Sequence, residues 1–219
     1  ADDVFQGAGA GDRFGSALAV RDVTGDGNAD LLVGAPFDDQ SAADAGATYV
    51  YRGGPSFTSQ SAAQAAVRLL GGGQQHAFGS ALAAGDVNGD GQADLLIGAP
   101  QNNASGGNSG AVHVFFGGAG LTHATAAQAP VTISGASSND KLGTTLAAGD
   151  LTGDGIDELV LGVPDAKLAG SQSGSVFVVR GSASLASASA ASAMAIYNGE
   201  AAGDRLAHAL AVGDANAEG

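Results

Sequence analysis

The sequence predicts an all-β chain, a β-propeller of four-stranded antiparallel blades, and three observations carry that prediction. The segment Asp22-Val-Thr-Gly-Asp-Gly-Asn-Ala-Asp30-Leu-Leu-Val-Gly-Ala-Pro36 returns as Asp86 to Pro100 and again as Asp150 to Pro164, each 64 residues after the last. Every period holds four short apolar runs closed by Gly, Pro, Ser or Asp, the pattern of strands rather than helices. The supply of core side chains is small in volume, with 5% aromatics, no Trp and 37 Gly, which suits closely stacked sheets. One four-stranded sheet cannot bury both faces alone, so neighbouring units must stack on it.

The runs follow in order. The first is Phe14 to Val20, repeated as Phe78 to Ala84, Leu142 to Ala148 and Leu206 to Val212. An acidic loop follows, then a Leu/Val/Ile run ending in Gly-Ala-Pro or Gly-Val-Pro. The third run is Ala47–Tyr51, with Ala111 to Phe116 and Ser175 to Val179 as its copies. The fourth is Ala66 to Leu70, Pro130 to Ile133 and Ala193 to Tyr197. Between third and fourth lie Ser/Ala/Gln segments, Ser56 to Ala65, Thr122 to Ala129 and Ser182 to Ser192. Their constant place in the period makes them loops or single helical turns inside a unit. The units therefore span about 8–71, 72–135 and 136–199, with a fourth beginning at 200–219, all in one partial propeller domain, 1–219. Val4 to Gly7 matches a fourth strand, so three complete blades carry one extra strand at each end. That is too few for a ring of four to eight blades, and the remaining blades are expected from the same chain or another.

Charge points to the acidic loops. The chain has 22 acids against 8 Lys plus Arg, a formal charge of −14, and lacks the basic footprint that nucleic acid or an anionic membrane requires. Twelve of those acids sit in the recurring loops: Asp22, Asp26, Asp30, Asp86, Asp90, Asp94, Asp150, Asp154, Asp157, Glu158, Asp214 and Glu218. Carboxylates so concentrated repel one another unless a cation lies between them. With no Cys there is no thiolate site, and no apolar run is long enough for a membrane span, so no membrane insertion is expected.

In the first loop oxygen-bearing residues stand at positions one, three, five and nine, Asp22, Thr24, Asp26 and Asp30, with the Asn28 carbonyl at seven. Gly27 permits the bend. A hard cation takes about six to eight oxygens, which alternate residues of such a turn can supply. The second loop offers Asp86, Asn88, Asp90, Gln92 and Asp94; the third Asp150, Thr152, Asp154, Ile156 through its carbonyl, and Glu158. About three calcium ions are expected. Asp-Gly turns alone make hairpins without metal, but a hairpin needs no acid at position nine. An EF-hand would need Glu at twelve, where Val33, Ile97 and Leu161 stand instead. The longer arm of Glu158 sets the third loop apart. The fourth, Asp214 to Gly219, has lost its first Gly and stops before position nine, half a site at most.

With Phe14-Gly15 and Phe78-Gly79 opening units that close in Gly34-Ala-Pro36 and Gly98-Ala-Pro100, the repeat resembles the FG-GAP repeat of the integrin alpha-subunit β-propeller. Departures are Leu142 and Leu206 for Phe, Ala207 for Gly and Val163 for Ala. The resemblance implies a seven-bladed ring, calcium in these loops, and a secreted or cell-surface protein serving in adhesion or beside an enzyme domain. It does not carry over the residues that recognise a partner.

No catalytic residue is assigned. His76, His113, His123 and His208 show no paired ligand spacing, and His76 stands where Asp12, Asp140 and Asp204 stand in other units. No Gly-x-Ser-x-Gly elbow occurs, and no helix follows Gly7-Ala-Gly9-Ala-Gly11 to make it a dinucleotide loop. Asn103-Ala-Ser105 is a lone glycosylation-type triplet. The reading is a calcium-stabilised extracellular binding or adhesion module without catalysis, whose ligand is a protein or glycan. The alternatives are the scaffold of a secreted hydrolase or lyase whose catalytic residues lie elsewhere, and a purely structural unit that self-associates to close the ring.

Overall fold

The computed structural model describes residues 4–55 and 57–213. β1 (Phe5–Gln6) precedes the first unit, which comprises β2 (Ala17–Arg21), β3 (Asp30–Ala35), β4 (Ala47–Tyr51), β5 (Gln60–Ser61) and β6 (Val67–Leu70). The second repeats it with β7 (Leu82–Gly85), β8 (Asp94–Ala99), β9 (Ala111–Phe115), β10 (Ala124–Thr125) and β11 (Val131–Ser134). The third has β12 (Thr145–Gly149), β13 (Glu158–Val163), β14 (Ser175–Val179), β15 (Ala188–Ser189) and β16 (Ala195–Asn198). Each blade is an antiparallel meander, β2-β3-β4-β6, β7-β8-β9-β11 and β12-β13-β14-β16. This is the predicted propeller architecture. The Ser/Ala/Gln segments each hold a two-residue strand followed by a 3-10 turn, Ala62–Gln64, Ala126–Gln128 and Ala190–Ser192.

Those two-residue strands join the units. β6 runs parallel to β10 with Leu69 opposite Ala124, and β11 runs parallel to β15 with Ile133 opposite Ala188. β1 pairs with β5 in the same way, Phe5 opposite Gln60, so the N-terminal strand does take the place of a preceding unit's fourth strand. The 64-residue period is thus kept by backbone pairing as well as by side chains.

The core lies between the sheets. Val23, Leu32, Val50 and Leu69 of the first blade pack with Phe78, Leu95, Ile97 and Phe115 of the second. On the second blade's other face, Leu96, Val112, Val114 and Ile133 pack with Leu142, Leu159, Leu161 and Phe177 of the third. Neighbours such as Leu95 and Leu96 enter different layers because successive strand residues point to opposite faces. Both faces of the middle strands are covered, so β3, β8 and β13 read as continuous apolar runs.

The Phe-Gly and Gly-Ala-Pro signatures meet across this packing. Gly79 donates its N–H to the Gly98 carbonyl of its own blade at 3.0 Å. A Cβ added to Gly34 of the preceding blade would stand 2.1 Å from the Gly79 carbonyl oxygen, and one on Gly98 would stand 2.1 Å from that of Gly143. Sheets this close leave no room for a side chain.

Two expectations need correction. Phe14, Phe78 and Leu142 stand in the turn before the first strand rather than within it. Phe78, Leu142 and Leu206 each form a single parallel bridge to the previous unit, at Gly46, Gly110 and Gly174, which holds the signature residue out of its own meander. Among the described residues, Leu206 to Val212 forms no strand either. The half-site at Asp214 to Gly219 lies outside the described residues.

Candidate metal loops

Each acidic loop joins a first strand to a second, and its position-one acid organises the turn. Asp22 Oδ1 accepts the N–H of Gly25 at 2.8 Å and of Asp26 at 3.3 Å, while Oδ2 accepts that of Gly27 at 2.7 Å. Asp86 does the same for Gly89, Asp90 and Gly91, and Asp150 for Gly153, Asp154 and Gly155. These bonds to the charged form hold the Asp150 carboxyl below the usual carboxylate range, the Gly155 N–H contributing most. The position-five acid accepts the N–H two residues on: Asp26 from Asn28 at 2.9 Å, Asp90 from Gln92 at 2.9 Å and Asp154 from Ile156 at 3.1 Å. Asp26 is lowered chiefly by that Asn28 bond. Asp154 is lowered chiefly by Arg180, whose Nη2 stands 3.0 Å from Oδ2.

Position nine behaves differently. Asp30, Asp94 and Glu158 open the second strand of each blade and are fully buried. Asp30 Oδ2 accepts the N–H groups of Val23 and Thr24, and Oδ1 reaches Gly53 N–H at 3.1 Å beyond the third strand. Asp94 likewise accepts from Val87 and, at 3.0 Å, from Gly117. Burial, reinforced by Asp90 and Asp86, pushes Asp94 up to about 6 despite those bonds. The acid at position nine therefore clasps the loop to the end of the third strand, a role that spacing alone does not disclose.

Among the described residues no three His, Cys, Asp or Glu groups converge closely enough to form a ready cluster. The carboxylates of positions one and five face the exposed rim, and that of position nine faces inward. The donor set is nonetheless the oxygen-only one a hard cation takes. Glu158 supplies the test of fit. Its Oε2 accepts the Leu151 N–H at 2.9 Å, but its Oε1 is buried without a partner, where Asp30 and Asp94 each have a glycine N–H. A buried, unpartnered carboxylate oxygen is costly, and a cation in the loop would satisfy it. Thr24 at position three also lacks a well-formed hydrogen bond for its buried hydroxyl, which lies near enough to Asp26 to help lower that acid. Asn88 donates to Asp90 Oδ2 at 3.1 Å. Gln92, Thr152 and Ile156 lie on the loop rims, with Gln92 and Thr152 exposed and Ile156 half-buried.

The histidines gather no such site. His113 is buried with its Nδ1 3.2 Å from Thr132 Oγ1, and burial pushes it down to about 4. His76 Nδ1 faces the Asn102 amide at 3.3 Å. Sequence reasoning missed the matched pair beside this level of the fold: Tyr49 donates its hydroxyl to Asp38, and the same two positions hold His113 with Asn102 in the second blade and Phe177 with Ala166 in the third. Aligning the units position by position discloses that substitution by pairs.

A profile described as FG-GAP repeat matches residues 14–51, 78–115 and 142–179, together more than half of the chain. Integrin alpha-3 of Cricetulus griseus is 42% identical over 101 residues, covering 44% of this chain and 9% of that protein. Phosphatidylinositol-glycan-specific phospholipase D of Homo sapiens is 36% identical over 170 residues, 75% of this chain and 20% of that protein. Integrin alpha-PS5 of Drosophila melanogaster is 35% identical over 171 residues, covering 75% and 16%. The chain thus spans a fifth or less of the length of these curated relatives. No helix among the described residues is long and apolar enough to cross a membrane. Matched signatures, acidic loops in register and blades that interlock at the signature glycines all agree: this chain belongs to the FG-GAP repeat family.

Proposed function

We propose that this chain is a calcium-stabilised, extracellular β-propeller module that binds a protein or glycan and performs no catalysis itself. The observation that carries the metal part is the buried Glu158 Oε1 without a donor, in one of three loops built to the same oxygen-rich plan. If calcium is present at 100 times its dissociation constant, each site adds about 2.7 kcal/mol, so three sites rival the stability of an ordinary domain. The extracellular and adhesive part is supported by the integrin alpha relatives. The rest of a ring, seven blades by family resemblance, comes from the same chain or another. Melting in millimolar calcium and in chelator tests the metal part: a rise with calcium is expected, and identical curves would defeat it.

A second reading has its own support. The phospholipase D relative aligns with 75% of the chain, the same share as integrin alpha-PS5, which supports a scaffold beside a hydrolase as well as an adhesion module. Arrays of matrix proteins and glycans, run against phosphodiester and glycoside substrate panels on the whole protein, separate the two. Binding without turnover supports the adhesion module; turnover supports the scaffold.

A further inference from the structure

We infer that the three loops are not equivalent calcium sites, and that the residue following each third strand sets their order, with Arg180 acting as a tethered cation that calcium must displace from the third loop. The inference rests on the calcium reading above. That residue is Arg52 in the first unit, Phe116 in the second and Arg180 in the third, each 64 positions apart. Arg180 is ion-paired to Asp154, Nη2 to Oδ2 at 3.0 Å, with both side chains open to solvent. Asp154 Oδ1 already accepts the Ile156 N–H. The guanidinium therefore covers the oxygen that position five has left to offer a metal.

The second loop holds three carboxylates, Asp86, Asp90 and Asp94, and Phe116 brings no charge to them. Its Asp90 Oδ2 meets only the neutral Asn88 amide. None of the ion pairs among the described residues touches this loop. The first loop is intermediate: Arg52 acts on Asp26 electrostatically but forms no ion pair with it among the described residues. The third loop can still take a cation, because Glu158 Oε1 is buried and unpartnered while its other oxygen holds the loop's own Leu151 N–H. Calcium entry there exchanges one cation for another. Entry into the second loop relieves like-charge repulsion with nothing to displace, so the second loop fills first and the third last.

Displacing this exposed pair, together with the repulsion between a guanidinium and a divalent ion, weakens the third site about 5-fold relative to a loop without it. The test is calorimetric titration of the whole chain with calcium chloride. The wild type is expected to bind in steps of different affinity. Asp90→Ala should remove the tightest step and Asp154→Ala the weakest. Arg180→Phe and Arg180→Gln should each tighten the weakest step about 5-fold, and Phe116→Arg should weaken the tightest by a similar factor. Phe116 is half-buried, so if that variant fails to fold the two Arg180 variants decide alone. Identical sites in the wild type, or Arg180 variants with unchanged affinities, overturn the inference while leaving calcium binding intact. Absence of any binding heat or calcium-dependent melting shift in wild type and variants alike overturns the calcium reading itself.

Discussion

Asp157 and Asp86 hold adjacent blades together through a reciprocal pair of hydrogen bonds. The Asp86 N–H donates to Asp157 Oδ2 at 2.9 Å, and the Asp157 N–H donates to the Asp86 carbonyl at 2.8 Å. The carboxylate reaches in over Gly85, whose added Cβ would stand 2.4 Å from Oδ2. The first two loops have Ala29 and Ala93 at this place, so this side-chain clasp belongs to the boundary between the second and third blades. Asp157→Ala should cost about 1 kcal/mol, since hydrogen bonds to charged acceptors are worth about 1.5–3 but this one is partly solvated. Urea denaturation reads it, and Asp157→Asn should recover part of the loss; an Ala variant as stable as wild type would sink the assignment.

The signature glycines allow a sharper comparison. Gly98→Ala would push a methyl against the Gly143 carbonyl at 2.1 Å, and the nearest atoms there are all Gly143 backbone. Overpacking costs typically 1–3 kcal/mol, and with no flexible side chain to yield the cost should be about 3 or more. Gly15 adopts φ +91 but has open space around its missing Cβ. Gly15→Ala should therefore pay only conformational strain, about 1–2 kcal/mol. If thermal or chemical denaturation ranks them the other way, close approach is not what the second signature glycine provides.

The Tyr49 and Asp38 pair predicts non-additivity. Asp38 is 1% exposed and accepts from Tyr49 and, at 3.1 Å, from Gln40. Tyr49→Phe removes one donor from a buried carboxylate and should cost about 2 kcal/mol. The double variant Tyr49→Phe with Asp38→Ala copies the Phe177 and Ala166 arrangement of the third blade and should be less destabilised than the sum of the single changes. A double-mutant cycle by equilibrium unfolding measures the coupling, and strict additivity would contradict it.

Two buried groups make opposite demands on pH in the absence of calcium. Asp94, at about 6 against an ordinary value near 3.9, adds stability below about pH 4 that is lost as pH rises through 6. His113, at about 4 against an ordinary value near 6.5, adds stability above 6.5 that is lost as pH falls through 4. Over the shared window they oppose each other. His113→Phe, the residue of the equivalent position in the third blade, should gain in melting temperature over wild type as pH falls from 7 to 5 in chelator. Asp94→Asn should gain over wild type as pH rises from 4 to 7. Differences that stay constant with pH would show that burial does not set these two groups.

Much of this was readable from residues alone because period and polarity are local. The sequence places strands at Ala47–Tyr51 and Ser175–Val179 with the bounds observed, and the match of Val4 to Gly7 to a fourth strand appears as β1. What eluded the sequence depends on direction in space. An acid at position nine is legible as an oxygen donor, but the second task of Asp30 and Asp94, holding the N–H groups of Gly53 and Gly117, is not. Phe14 looks like the start of a strand because it is apolar and adjoins one, but the turn at Gly15 separates the two. Arg180 lies 26 residues from Asp154, outside any motif window, and only the return of the third strand brings them together.

The parallel seams have an evolutionary corollary. Because each two-residue hop onto the neighbour recurs at the same offset, duplication of a whole 64-residue segment would create a new blade whose outer edges already match those on either side. Growth by gene duplication needs no invented joint, whereas an insertion of any other length between seams must be absorbed as a bulging surface loop.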